Sequence, residues 1–290
     1  MSTVADGRAA VVPTPGTPTG SRGVGRALAG AECRHLLRHP AFLAGGAGTF
    51  VILALSNLFG GIDFSTLALS GLACLPLAVG TFVAANFAAN RDRRSGTDEL
   101  LAALAQTATS RRVAQLLAVG ASVAVAMAAV AATVLVVGAL GGPDVRFDTG
   151  VEQRVPSLYE LFQGPLAVAV LGLAGIAVGR LVPTPLLAPV LAAVLLFSMW
   201  PEGRLRWFAP VANPAVTVPG GYWPHPEIAP RTELIGFDVA SMGWHLLYLA
   251  GVGGLAATLA IASRRLTPGT MIAATTALAA AIAGGLLQLQ

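Results

Sequence analysis

The sequence predicts an all-α polytopic membrane protein with about six transmembrane helices, or seven if a C-terminal segment also crosses. Three observations carry this. Of the 290 residues, 55% are hydrophobic and only 11% are charged, where a soluble domain carries about 25% charged residues. The mean hydropathy is +0.72. Apolar runs of about twenty residues recur along the chain, and at 1.5 Å per residue such a run crosses a hydrocarbon core of about 30 Å.

Residues 1–25 are rich in Pro, Gly, Ser and Thr and contain no apolar core. They are expected to be a disordered cytoplasmic tail rather than a signal peptide, and residues 26–290 to form the transmembrane domain. Residues 26–39 read as a helix with Ala29, Cys33, Leu36 and Leu37 on one side and Arg34 and Arg38 on another. That pattern suits a helix lying in the membrane interface, and Pro40 ends it with a turn. Residues 41–61 form the first span and 66–89 the second, which Pro76 is expected to kink. Residues 113–140 form the third span. A polar loop follows at 141–160, with Asp144, Asp148, Glu152 and Glu160 set against Arg146 and Arg154. Residues 161–179 form the fourth span, 180–185 a tight turn and 186–200 a short fifth span containing Pro189. The longest loop, 201–240, carries Trp207, Tyr222 and Trp223, which suit a membrane interface. Residues 242–262 form the sixth span. After Arg264 and Arg265, residues 268–287 are the candidate seventh. Gly45 and Thr49, and Gly80, Ala84 and Ala88, recur four apart, a spacing that lets helices approach closely.

Every basic residue other than histidine is an arginine. With the N-terminus inside and each of these segments crossing once, thirteen arginines and five acids fall on the inner side, against five arginines and nine acids outside. Cytoplasmic loops collect positive charge, so this orientation is favoured over its inverse. It also accounts for the net charge of +4 without nucleic acid, because the arginines sit at the ends of apolar runs.

The most polar inner segment is 91–112, RDRRSGTDELLAALAQTATSRR. Thr97 can cap a helix there, Asp98 and Glu99 favour its positive N-terminal end, and Leu100, Leu101, Leu104 and Ala105 form an apolar stripe. A short amphipathic helix is therefore expected on the inner surface between the second and third spans.

Catalytic signatures were sought along the rest of the chain. Without lysine there is no phosphate-cradling GxxxxGK[ST] loop. No HExxH, GxSxG or Cys/His cluster occurs. Cys33 and Cys74 read as small apolar fillers. The acids lie in the tail, the loops or at span ends. His245 is the titratable residue well inside a span, and a single such histidine reads as a packed side chain rather than a proton relay. His225 falls in a loop. A membrane path powered by a separate subunit fits this inventory.

Ser95-Gly96-Thr97-Asp98-Glu99-Leu100-Leu101, followed by Thr109-Ser110-Arg111-Arg112, resembles the region after the second span in permeases of the type-2 ABC exporter class. There a Gly-Thr-x-Glu-x-Leu run, then a Ser-Arg pair, forms the coupling helix that meets the ATPase. The amphipathic helix before the first span resembles that family's connecting helix. The long outer loop, with Trp244-His245-Leu246-Leu247-Tyr248 after it, resembles the ends of many such permeases. The chain departs from the family by lacking a mid-segment proline at Leu104-Ala105-Gln106, by Arg112 where lysine is usual, and by its seventh segment.

The resemblance implies the permease subunit of an exporter in the cytoplasmic membrane, N-terminus inside, which is not itself an enzyme. Arg94, Gly96, Thr97, Asp98, Glu99, Leu100 and Leu101 would form the ATPase contact, with Glu99 toward the ATPase and Leu100, Leu101 and Leu104 toward the spans. No cofactor or metal is expected on this chain; ATP and Mg would be held by separate ABC ATPase subunits. The other partners implied are a second permease copy, identical or related, and the lipid bilayer. Apolar spans without buried charge lean toward an amphipathic or lipid-like cargo. Rival readings are a secondary transporter, a membrane enzyme, and an accessory or immunity membrane protein.

Overall fold

The computed structural model describes residues 21–58, 66–96, 108–139, 144–147, 150–153, 158–182, 184, 186–198, 239–262 and 267–287. Helix α1 spans Ser21–Leu37 and α2 spans Pro40–Leu58. Then come α3 at Thr66–Arg94, α4 at Ala108–Ala139, α5 at Leu158–Leu181, α6 at Leu187–Ser198, α7 at Val239–Ile261 and α8 at Pro268–Leu287. Between α4 and α5, strands β1 (Asp144–Phe147) and β2 (Gly150–Gln153) pair antiparallel, with Phe147 opposite Gly150 and Asp144 opposite Gln153.

Among the described residues, five helices are long and apolar enough to cross a membrane: α3, α4, α5, α7 and α8. The number is six if α1 and α2, bent by 60° where they join, count as one span. Large apolar side chains stand exposed around the bundle, among them Phe50, Leu117, Leu135, Val194, Ile272 and Leu286. Such a surface is tolerated where lipid rather than water surrounds it.

Four features differ from the sequence reading. First, α1 starts at Ser21, before the expected start at Arg26; the last proline of the tail is Pro18, so nothing C-terminal to it stops a helix from extending backward. Second, the loop at 141–160 contains a hairpin, whose strands are too short for their alternation to stand out. Third, α6 has twelve residues, about 18 Å of helix, which does not cross a bilayer. Fourth, the second span, which contains Pro76, extends past its expected end at residue 89 to Arg94. The tail before Ser21, the island helix around 97–107, the outer loop with Trp207, Tyr222, Trp223 and His225, and Arg264–Arg265 all lie outside the described residues.

Helix α3 is the hub, packed on α2, α4 and α5. Its closest approaches are made where small residues remove side chains from the contact. A Cβ on Gly80 would run into the Ala41 carbonyl oxygen, and one on Gly45 into that of Pro76, so α2 and α3 touch backbone to backbone. On the other flank, a Cβ on Gly175 would strike the Phe82 carbonyl oxygen, and one on Gly172 would lie 2.6 Å from Val119. Helix α8 packs on α7 the same way, with Gly251 against Ala281 and Gly284 against Tyr248. Its remaining face, Met271, Ile272, Leu278, Ile282 and Leu286, is exposed.

These contacts separate two kinds of glycine. Gly80→Ala puts a methyl group against backbone and is expected to lower stability by about 1–3 kcal/mol. Gly46→Ala meets nothing within 4 Å and is expected to be neutral or to stabilise by up to about 1 kcal/mol through helix propensity. Thermal midpoints of the two variants in detergent check this: a Gly80→Ala protein as stable as wild type would refute the close α2–α3 packing.

Candidate functional site

One end of the bundle gathers the elbow between α1 and α2, the C-terminal ends of α3, α5 and α7, and the N-terminal ends of α4 and α8. The arginines collect here, and residues 97–107 connect α3 to α4 at this end. We call it the arginine end.

The elbow is built from its sequence. Arg38 N–H donates to the Arg34 carbonyl at 3.1 Å and His39 N–H to that of Leu36 at 3.1 Å, which closes α1. Pro40 opens α2, where its missing N–H is not needed. His39 serves as the N-cap: its Nδ1 accepts the Ala41 N–H at 3.2 Å, and its carbonyl accepts that of Leu43 at 3.0 Å. Its ring lies 5.4 Å from that of Phe87 on α3. Burial lowers the imidazole below its usual 6.5, favouring the neutral form that can accept.

Helix α1 is then tied to α3. Glu32, 6% exposed, turns inward, and its Oε1 receives Arg91 Nη2 at 2.7 Å. The expected apolar side of α1, Ala29, Cys33, Leu36 and Leu37, is buried only at Leu36, with Cys33 and Leu37 half-buried. The inward acid beside them was not foreseen, because its partner lies 59 residues away.

The end of α3 is fixed by buried amides. Asn86 Nδ2 donates to the Gly175 carbonyl on α5 at 3.3 Å, and Asn90 Nδ2 donates to Asn86 O and Oδ1 at 3.2 and 3.3 Å. Both asparagines are fully buried. The helix stops at Arg94, whose guanidinium stands 5.4 Å over the Phe87 ring. Ser95 N–H and Oγ both donate to the Arg91 carbonyl, and Gly96 follows at φ +66°, the left-handed conformation that ends helices and that glycine adopts without strain.

Across the island, α4 is tied to α7. Arg112 Nη1 donates to the carbonyls of Ile261 at 2.8 Å and Ala262 at 3.2 Å. A cation there satisfies the last carbonyls and meets the negative end of the helix dipole. Gln115 joins the set through long contacts of 3.5 Å, donating to the Ala88 carbonyl and accepting from Arg180 Nη2.

Of the residues singled out from the sequence, Arg94 and Gly96 sit together at the foot of α3, both exposed. Thr97, Asp98, Glu99, Leu100 and Leu101 lie outside the described residues. Arg112 is drawn to α7 rather than standing on the surface. The side chains that shape this end and were missed are Glu32, His39, Phe87 and Gln115. Together with His35, Ala84 and Ala88, His39, Phe87, Arg91 and Arg94 line a cleft of about 450 Å³ at the elbow. Among the described residues, no group of His, Cys, Asp and Glu comes together as a metal-binding set. Cys33 and Cys74 are free thiols. His245 is fully buried on α7, with its ring 5.9 Å from Tyr248. No family model matches the chain, and no curated protein or solved structure does either.

The Glu32–Arg91 pair is half open to solvent, the Arg91 side chain being 41% exposed. Its worth is therefore set at about 1 kcal/mol rather than the larger value of a fully buried pair. Glu32→Gln, Arg91→Gln and the double variant, melted in detergent, should return a coupling energy of that size; additivity would mean that the pair does not clamp α1. His39 makes stability depend on pH. The unfolded chain binds its proton more readily than the folded one, so the contribution is present above the ordinary 6.5 and is lost as pH falls below it. Wild type should lose more of its melting temperature between about pH 7.5 and about pH 5.5 than His39→Asn, which still caps but does not titrate.

Proposed function

We propose that this chain is the permease subunit of an ABC exporter of the type-2 class, moving its cargo with ATP hydrolysed by separate subunits. The observation that carries the reading is how the island is rooted. Its N-terminal root, the foot of α3, is bonded to α1 through Glu32–Arg91 and to α5 through Asn86. Its C-terminal root, the foot of α4, is bonded to α7 through Arg112. A push on the 97–107 segment therefore reaches α1, α5 and α7 through polar contacts. That suits a surface which turns closure of a partner into rigid movement of the spans. The charge bias of the chain supports placing this end, and the N-terminus, in the cytoplasm.

On this reading ATP and Mg belong to the partner ATPase, and two permeases enclose the path. Thr97 caps the island helix, Asp98 and Glu99 stabilise its start, and Leu100, Leu101 and Leu104 seat it against the spans. Glu99 faces the ATPase. A secondary transporter is the second reading. What favours it is the fully buried His245, together with Gln163 on α5, whose buried amide atoms have no hydrogen-bond partner.

The test is affinity capture of the tagged chain from its own cells at matched permease levels. Wild type should bring down a Walker-bearing ATPase and gain ATP turnover, while the chain alone turns over none. Glu99→Arg should lose most of the ATPase while the permease still folds. Leu101→Asp should instead lower the amount of folded permease. Equal capture and turnover with Glu99→Arg would overturn the contact. Transport that needs no ATPase and fails in His245→Ala would turn the reading to the second.

A further inference from the structure

We propose that the cleft at the elbow of α1 and α2 is a binding site for the acidic headgroup of a phospholipid, drawn from the leaflet at the arginine end. The site shares Arg94 with the proposed island contact but does not depend on what the protein transports.

Three observations support it. The cleft has a volume of about 450 Å³, within the range of small-molecule sites. Its lining is divided by chemistry. Phe87, Ala84, Ala88 and Leu36 make an apolar floor, while Arg94, Arg91 and His35 stand at the rim. The acid beside it, Glu32, is turned inward and bonded to Arg91, so it places no open carboxylate against an incoming anion. An apolar floor under a basic rim matches an amphiphile whose headgroup is negative, not a free anion and not a neutral lipid. The position agrees: α1 bends by 60° from α2 at this elbow, as a helix lying in the interface does beside a span.

Arg94 is suited to the role. A guanidinium held by its face over an aromatic ring keeps its N–H donors in its own plane, where they can meet a phosphate. It is also exposed, as are His35, Arg34 and Arg38 on the adjoining turn of α1. Basic side chains clustered at a cytoplasmic membrane face attract acidic lipids. The floor supplies what such a cluster alone lacks, a seat for the glycerol and the first methylenes.

The experiment uses the full chain in neutral detergent, followed by thermal melting and native mass spectrometry. The probes are dioctanoyl phosphatidylglycerol, dioctanoyl phosphatidylcholine and inorganic phosphate. Phosphatidylglycerol should raise the melting temperature saturably and remain bound in the mass spectrum; the other two should do neither. His35→Glu and Arg94→Gln should each weaken the response by about fivefold. Arg94→Lys should keep most of it, as should Arg26→Gln, an exposed arginine on α1 that does not line the cleft. An equal response to phosphatidylcholine would reduce the cleft to an apolar groove, and an equal response to phosphate would make it an anion site. Loss with Arg26→Gln equal to that with Arg94→Gln would mean diffuse charge attraction. Should no lipid bind while Arg94→Gln sheds the captured ATPase, the cleft is a protein contact. Any of these four outcomes overturns the proposal. If Arg94→Gln fails to fold, His35→Glu decides, since that side chain is exposed.

Discussion

The structure depends on how closely α3 is approached by its neighbours. Inside a bilayer, apolar side chains gain nothing by leaving lipid for protein, so helices are held by close packing and by hydrogen bonds between them. Along α3 both are present. Gly80 and Gly45 bring its backbone against that of α2, and Gly175 and Gly179 of α5 bring another backbone against its opposite flank. The approach of α5 in turn puts the Gly175 carbonyl within reach of Asn86, which also receives Asn90 from one turn along α3. The amide N–H groups then cost less to bury, because each has a partner, while Asn90 Oδ1 has none. A larger side chain at Gly175 or Gly179 would separate the helices and strand the Asn86 amide, so the packing and this polar contact stand or fall together.

Much of this was legible in the sequence, and the reason is local. Spans follow from composition, the elbow from Pro40, and the close approach of α2 and α3 from the spacing of Gly45 and Gly80. What was not legible depends on distance along the chain. Glu32 reads as one more polar residue on an interfacial helix until Arg91 is placed beside it. Arg112 reads as a charge marking the membrane face until the end of α7 arrives 149 residues later to receive it. The hairpin was missed because strands of four residues give alternation too little room. The fifth span was overestimated because an apolar run bounds a helix from above only. Of the residues chosen for the island contact, the structure describes Arg94 and Gly96, and the left-handed Gly96 explains why α3 ends where the sequence changes character.

The two ends of the bundle differ in how their polar groups are treated. At the arginine end, cations meet a carboxylate, helix carbonyls and an amide in contacts that each join two helices, and an aromatic face within α3. That end also holds buried atoms without a hydrogen bond, among them Glu32 Oε2, Asn90 Oδ1 and Arg111 Nη1; deeper in the bundle, and toward the hairpin end, the buried polar side chains are mostly hydroxyls and amides. Thr81 and Thr133 return their hydroxyls to their own helices, to the carbonyls of Leu77 and Ala129. Thr49, Ser122 and Gln163 have buried polar atoms without a hydrogen bond. A buried polar group left unmade costs about 1–3 kcal/mol, and lipid offers it no substitute.

Gln163 shows what that cost implies. Glycine contacts set the register of α5 on α7: Gly243 lies beside Tyr159 and Gly253 beside Val170. The helices therefore run parallel, and the same offset places Gln163 level with Leu246 and Leu247, within one turn of His245. A fully buried histidine and an unsatisfied amide thus share one depth at the interface of two spans. The arginine end is bonded shut in this conformation, while this level holds hydrogen-bonding capacity not yet used. In a bundle that rocks as rigid bodies about its tight glycine contacts, movement at the bonded end must change what the open level faces. On the proposed function, the rooting that would make the island a lever would also make the α5–α7 interface the place where its motion is felt.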